Sequence, residues 1–228
     1  MPARATTTDR RIAALPVREC GEPLVDLGAV ASLRVDPRMA RTSPTGGLVR
    51  STVVDRLVTA QSLLPRGLRL LLLDGLCDEA GRRSRQADRA VRLRDLHPDW
   101  SMQQILDEAG WHCSARPGEK DAEVRIPPPV PAHSTGAAVD VTLCSETGEE
   151  LPMGCAPQAG PVESGGACHT DAPVPDGARA NRDSLRIVLT AVGLVNQPEA
   201  WWHWSYGDQF WCYVTGAPAA RYGPVPAT

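Results

Sequence analysis

No stretch of this chain is apolar for long enough to cross a bilayer, which takes about 20 residues. The amino terminus, Met1-Pro-Ala-Arg4-Ala-Thr-Thr-Thr-Asp9-Arg-Arg11, lacks the apolar core of a secretory leader. The seven cysteines, at positions 20, 77, 113, 144, 155, 168 and 212, contain no Cys-x-x-Cys pair and are odd in number. That pattern argues against a zinc ribbon and against a full disulfide framework. Reduced thiols in a cytoplasmic protein are the simplest expectation. Excess charge is lacking too: the net charge is −3, so neither nucleic acid nor a membrane surface is expected as a partner. Arginines cluster in Arg82-Arg83-Ser-Arg85 and from Arg89 to Arg94, a pattern read first as a solvated helix face. There is no internal repeat.

What is present is an ordinary soluble composition, 42% hydrophobic and 22% charged over 228 residues, ample for one domain with a sizeable core. Residues 1–15 read as a flexible N-terminus and 16–228 as a single domain. Short apolar pieces between Pro16 and Val35 suggest strands, and Arg38 to Gly47 a loop. Val54, Leu57 and Val58 recur at helical spacing between Leu48 and Leu64, ahead of Pro65. Leu68 to Leu73 reads as a buried strand, and Asp78 to Arg94 as a helix. Ser101 and Gln104 have the spacing of a capping box, opening a helix through Ala109. Pro127-Pro-Pro129 predicts extended chain leading to His133. Val139 to Leu143 and Glu150-Leu151 suggest a hairpin across Glu146-Thr-Gly148. Gly154 to Gly177 is a long Gly/Pro-rich loop, the kind that forms a lid or stays disordered. Leu185, Val188, Leu189 and Val192 predict a helix stopped by Gly193. Trp201 to Tyr206 and Phe210 to Val214 read as an antiparallel pair turning at Gly207-Asp208. Elements in this order fit an α+β fold, an antiparallel sheet flanked by helices.

Chemistry concentrates in two runs. Pro131-Ala-His133-Ser-Thr-Gly136-Ala-Ala-Val-Asp140 offers an imidazole and, seven residues on, a carboxylate in a strand-like segment. Pro198-Glu199-Ala200-Trp201-Trp202-His203-Trp204 offers a second imidazole among tryptophans. Two His and one Asp can hold a tetrahedral metal and leave one position open for catalysis. Gly136 suits a tight turn between the first two of them. The same residues also fit a surface histidine and a core histidine beside aromatics.

These runs, His-x-x-Gly-x-x-x-Asp and far downstream Trp-Trp-His-Trp-Ser-Tyr-Gly-Asp, resemble the zinc D-alanyl-D-alanine dipeptidases of vancomycin resistance and their relatives. The likeness extends from about Cys20 to Pro224 through Gly21-Glu-Pro-Leu-Val-Asp26, Leu72-Leu-Asp74-Gly75, Thr147-Gly148-Glu149, Pro152-Met153-Gly154 and Tyr222-Gly223-Pro224. It implies a D,D-peptidase or hedgehog-like fold with a metal in a central cleft. The ligands would be His133, Asp140 and His203, holding Zn2+, with Fe2+ accepted by the same ligand set.

Several functional positions depart from that family. Its catalytic Glu stands three residues before the last His; here that position is Ala200, with Glu199 one residue earlier and expected, on a strand, to face away. The arginine of its Asp-Gly-Tyr-Arg-Pro run is replaced by Cys77 in Asp74-Gly75-Leu76-Cys77-Asp78, which cannot supply a positive charge. Arg82, Arg83 or Arg85 would have to reach in from the next helix. The Ser two residues before the first ligand is Pro131. The Asp of Met-Gly-x-x-Phe-Asp, which would pair with a dipeptide ammonium, is Gln158, leaving only hydrogen bonding. Losing a general base or an oxyanion donor costs on the order of 10²–10⁴-fold each.

Candidate catalytic residues are therefore Glu199 and Cys77, the latter a nucleophile, an extra metal ligand or a small buried filler. Candidate substrate contacts are Gln158, Trp202 and Tyr206. Trp201, Trp204 and Trp211 read mainly as core, Cys144 and Cys212 as core, and His97, His112 and His169 as structural or solvent-facing. Asp208 reads as a turn residue. The resulting expectation is a metal-dependent enzyme on the dipeptidase scaffold acting on a small amino-acid-like or peptidyl metabolite in specialised biosynthesis. An active D,D-dipeptidase and a non-catalytic metal-stabilised binding protein stand as alternatives.

Overall fold

The structure, a computed structural model, describes residues 10–39, 45–110 and 129–226. The expected extended run at Pro127-Pro-Pro129, most of it, together with His112, Cys113 and part of the 38–47 loop, lies outside the described residues. So do residues 1–9 of the segment expected to be flexible. The rest of that segment carries α1 (Arg10–Ala13), where Ile12 is buried and the carbonyl of Leu15 accepts from Gln209 Nε2 at 2.8 Å. Ile12 and Leu15 thus tie residues 10–15 to the rest of the chain.

The described strands form two sheets. β1 (Leu24–Asp26) pairs antiparallel with β3 (Leu48–Arg50). β2 (Arg34–Val35), β4 (Leu68–Asp74), β5 (Ala138–Ser145), β7 (His203–Ser205) and β6 (Val195–Asn196) form a five-stranded sheet in the order β2-β4-β5-β7-β6. Its pairings are antiparallel except at the short edge strand β2, which runs parallel to β4. The fold is α+β.

Strand β5 shows how the sheet sorts its faces. Side chains alternate along a strand, and Val139, Val141 and Leu143 join Leu70 and Leu72 of β4 in the main core. Against that face pack α2 (Ser51–Leu63), through Val53, Val54, Leu57 and Ala60, and α5 (Asp176–Ala191), through Leu185, Val188 and Leu189. The helix expected from Leu48 thus begins at Ser51, because Leu48–Arg50 are spent on strand pairing. The other face of β5 carries Asp140.

α3 (Glu79–Leu96) and α4 (Met102–Ala109) form a separate pair over a small core of Leu93, Ile105 and Ala109. Asp78 caps α3, accepting from Gly81 N at 2.7 Å. Ser101 and Gln104 make the expected reciprocal capping box, which satisfies backbone donors that a helix start leaves unpaired.

Three expectations change. Phe210 to Val214 lies in a helix, α6 (Gln209–Thr215), whose N-cap Asp208 accepts from Trp211 N at 2.8 Å; β7 pairs instead with β5 and β6. Trp201 and Trp202 form a turn closed by His203 N bonding to Ala200 O. The hairpin after β5 reduces to one bridge, Cys144 to Glu150. The 154–177 loop is neither a free lid nor structureless. It is a series of turns held by the buried Arg182, which donates to the carbonyls of Met153, Ala167 and His169. None of the described helices is long and apolar enough to cross a membrane, and the described cysteines are all free.

Candidate metal centre

The sheet itself assembles the centre. Asp140 of β5 is paired in register with His203 of β7 on one side and with Asp74 of β4 on the other. His133 comes from a 3-10 turn (Ala132–Thr135) that leads into β5. Gly136 ends this turn at φ +69°, a conformation side chains with a Cβ rarely adopt, and a Cβ there would meet Leu24 Cδ2 at 2.7 Å. The turn is held from outside by buried Arg50, whose Nε donates to Thr135 O at 2.9 Å.

His133 Nε2 lies 3.2 Å from Asp140 Oδ1 and 3.0 Å from His203 Nδ1, and His203 Nδ1 lies 3.1 Å from the same carboxylate oxygen. The other ring nitrogen of His133 is 2.6 Å from Gly75 O. A carbonyl only accepts, so Nδ1 carries the proton and Nε2 presents a lone pair. Gly75 must be glycine for this approach, since a Cβ would fall 2.7 Å from Gly46 O and 2.8 Å from Leu48 O. Burial alone would raise the Asp140 carboxyl, but when no cation is bound and the rings of His133 and His203 carry the extra proton, their charge and hydrogen bonds outweigh it and hold the group well below the ordinary carboxylate range.

Three lone-pair atoms converging at these distances repel one another unless a proton or a cation sits among them. Bonds of about 2.0–2.1 Å from a tetrahedral zinc would set its ligand atoms about 3.3 Å apart, close to the spacings found. Two imidazoles and one carboxylate suit zinc, and also iron(II). Among the described residues, His133, Asp140 and His203 are the group of such side chains able to hold a metal ion. Asp140 Oδ2, the oxygen turned away from the histidines, accepts from Gln158 Nε2 at 2.9 Å. Gln158 has φ +63°, an uncommon backbone for a residue with a side chain. Its carbonyl is held by the Arg89 guanidinium, which also pairs with Glu163 at 2.9 Å. Gln158 therefore positions Asp140, one of the three candidate ligands.

These candidate ligands open onto a cavity of about 740 Å³, within the usual size for a small-molecule site. Cys77, Gln158, Ala200 and Trp202 line it; Glu199 and Tyr206 do not. Glu199 is half-buried and accepts from Gln197 Nε2 at 3.4 Å. The 200–203 turn presents Ala200 to the cavity, so the expectation of Glu199 as a group at the reacting bond is not met in the geometry. Tyr206 lies one residue beyond β7 and stacks edge-on against Trp211 at 4.9 Å, beneath the Arg56 guanidinium. Cys77 is buried, its amide donating to His133 O at 3.1 Å.

Of the arginines after Cys77, Arg82 and Arg85 line the cavity and Arg83 does not. Arg85 is committed to Asp74. Sequence reasoning missed Asp74 and Arg89 as parts of the site, and Glu108, which accepts from the amides of Val162 and Glu163 and steadies the loop bearing Gln158. Among the other histidines, His97 stacks on Trp100 at 4.0 Å, and His169 gives its carbonyl to Arg182.

The family model described as D-ala-D-ala dipeptidase matches residues 48–218. A D-alanyl-D-alanine dipeptidase of Synechocystis sp. (strain ATCC 27184 / PCC 6803 / Kazusa) is 25% identical over 234 residues, spanning 88% of each chain. One from Escherichia coli (strain K12) is 38% identical over 93 residues, which cover 36% of this chain and 46% of that protein.

Proposed function

The chain belongs to the D-ala-D-ala dipeptidase family, and from that premise we propose that it is a repurposed metal-dependent enzyme acting on a small amino-acid-like or peptidyl metabolite of specialised metabolism. The observation that carries this reading is the pairing of a convergent His133–Asp140–His203 donor set with Ala200, rather than a carboxylate, on the adjoining wall.

His133, Asp140 and His203 would hold zinc, which supplies Lewis-acid polarisation of a carbonyl and acidification of a bound water. The chain's own residues do the rest. Gly75 O fixes the His133 tautomer, and Gln158 holds the outer oxygen of Asp140, so that both ligands keep one orientation. Trp202 and Ala200 give the wall an apolar lining that limits water. Moving a proton from water to a leaving amine needs a carboxylate within hydrogen-bond reach. The cavity carboxylates near the ligands are engaged: Asp74 by Arg85, and Asp208 by Ser205 and the amide of Trp211. Chemistry that needs carbonyl polarisation without that relay suits this site better than rapid hydrolysis of D-Ala-D-Ala.

The test is metal content of the purified protein, measured with alanine release from D-Ala-D-Ala. About one zinc per chain with little alanine released supports the reading. Brisk release would return the protein to ordinary dipeptidase chemistry, and no metal would remove the basis of the proposal.

A further inference from the structure

Helix α3 turns one face toward the cavity, and that face is rich in arginine, with Asp88 at its exposed edge. Arg82, Arg85, Arg89 and Arg92 all line it; their spacing of three, four and three residues places them on a single stripe. Arg38 joins them from the opposite side. Most of this charge is already answered. Arg85 pairs with Asp74, Arg89 with Glu163, and Arg38 with Asp36 and Glu150. Arg92 is exposed and stands one turn from Asp88, which is also exposed. Arg82 is different. It is half-buried, lines the cavity, and has no ion-pair partner among the described residues. Its neighbour Arg83 points elsewhere, pairing with Glu79 at 2.8 Å.

On the acidic side Asp88 also lines the cavity, but it is exposed to solvent beside Arg92, and the remaining carboxylates are engaged. Asp36, Asp74 and Glu163 are held by arginines, Asp140 by the histidines and Gln158, and Asp208 by its helix cap. A ligand bringing an ammonium finds no uncommitted buried carboxylate among these. A ligand bringing a carboxylate finds the Arg82 fork, whose planar donors match carboxylate geometry.

We propose that Arg82 binds the free carboxylate of the substrate, and that the substrate is an amino acid or short peptide whose amine is capped by an acyl group. This rests on the metal-enzyme reading above for the position of the reacting carbonyl, but the placement of Arg82 on the cavity wall without an ion-pair partner among the described residues does not depend on the metal.

The experiment is calorimetric titration of the full chain, zinc-loaded and metal-free, with N-acetyl-D-alanyl-D-alanine and with D-alanyl-D-alaninamide. The first offers a carboxylate and no ammonium, the second the reverse. Binding of the acetylated peptide should exceed that of the amide by roughly tenfold or more, and Arg82→Gln should weaken it by roughly ten- to hundredfold. Arg82→Lys should recover part of that loss, and Arg83→Gln none of the effect. Zinc affinity, read by competition with a chelator, should be the same in Arg82→Gln as in the parent. Equal binding of the two peptides, binding of neither, or equal losses in Arg82→Gln and Arg83→Gln would each overturn the proposal. A chain that takes up no zinc sinks the metal-enzyme reading instead, and the metal-free titrations still decide the role of Arg82.

Discussion

Asp140 and His203 sit directly opposite each other on β5 and β7, with His203 Nδ1 3.1 Å from Asp140 Oδ1. The sheet's hydrogen-bond ladder, not a loop, sets the spacing of two of the three candidate ligands. A site built on paired strands is held more rigidly than one carried on loops.

Replacing either partner should therefore remove the metal without removing the fold. Asp140→Asn and His203→Ala are expected to lower zinc affinity by at least about 100-fold, while circular dichroism retains the α+β signature. Loss of one of three protein ligands sets the scale. Unchanged zinc content in both variants would contradict the assignment.

Gln158 makes a subtler prediction. Its amide holds the outer oxygen of Asp140, and outer partners of ligating groups typically contribute about 10–100-fold in metal affinity. Gln158→Leu keeps the bulk but removes the donor, and should weaken zinc binding by that factor. If Gln158 served only a substrate amine, zinc affinity would not move, and chelator competition separates the two cases.

The convergence of His133, Asp140 and His203 was legible in the sequence because they keep motif spacing whatever the loops between them do. Tyr206 was misplaced for a physical reason. Proximity to His203 in sequence says little at the end of a strand, and its ring stacks on Trp211 instead. Phe210 to Val214 looked like a strand because short apolar runs fit either period. Asp208 before it and Gly216 after it were the helix start and stop signals that could have settled the matter. Arg50, Arg89 and Arg182 had no readable signal at all. They bind backbone carbonyls of Thr135, Gln158 and Met153, and a carbonyl carries no residue identity.

Glu22 predicts an acid-sensitive step in stability. Burial would raise its carboxyl, but the amide of Thr52, the hydroxyl of Tyr222 and that of Ser51 lower it from the ordinary 4.5 to about 2. The group is favoured as a carboxylate in the folded chain. Its contribution is thus fully present above about pH 4.5 and lost as pH falls toward 2. The shift corresponds to at most about 3 kcal/mol. Glu22→Gln should flatten the decline in urea midpoint over that window and lower stability at neutral pH. An unchanged slope between pH 5 and pH 3 would show that Glu22 does not govern it.

Ala200 and Cys77 give the sharpest functional prediction. Both line the cavity, and both stand where the related dipeptidases are expected to carry Glu and Arg. Ala200→Glu would place a proton acceptor on the wall next to His203, and Cys77→Arg a cation beside His133, whose carbonyl accepts from the Cys77 amide at 3.1 Å. A positioned general base contributes on the order of 10²–10⁴-fold. The double variant should therefore raise alanine release from D-Ala-D-Ala by at least about 100-fold over a low parental rate, with Ala200→Glu alone giving part of the gain. Ala200 is fully packed, so thermal melting of each variant must accompany the assay; a folded, zinc-loaded double variant is the one that counts. Should that protein gain nothing while the parent already hydrolyses the dipeptide, Glu199 would have to reach the reacting water by moving out of its contact with Gln197. A folded double variant with neither parental nor acquired hydrolysis would place the barrier in substrate binding, the step assigned above to Arg82.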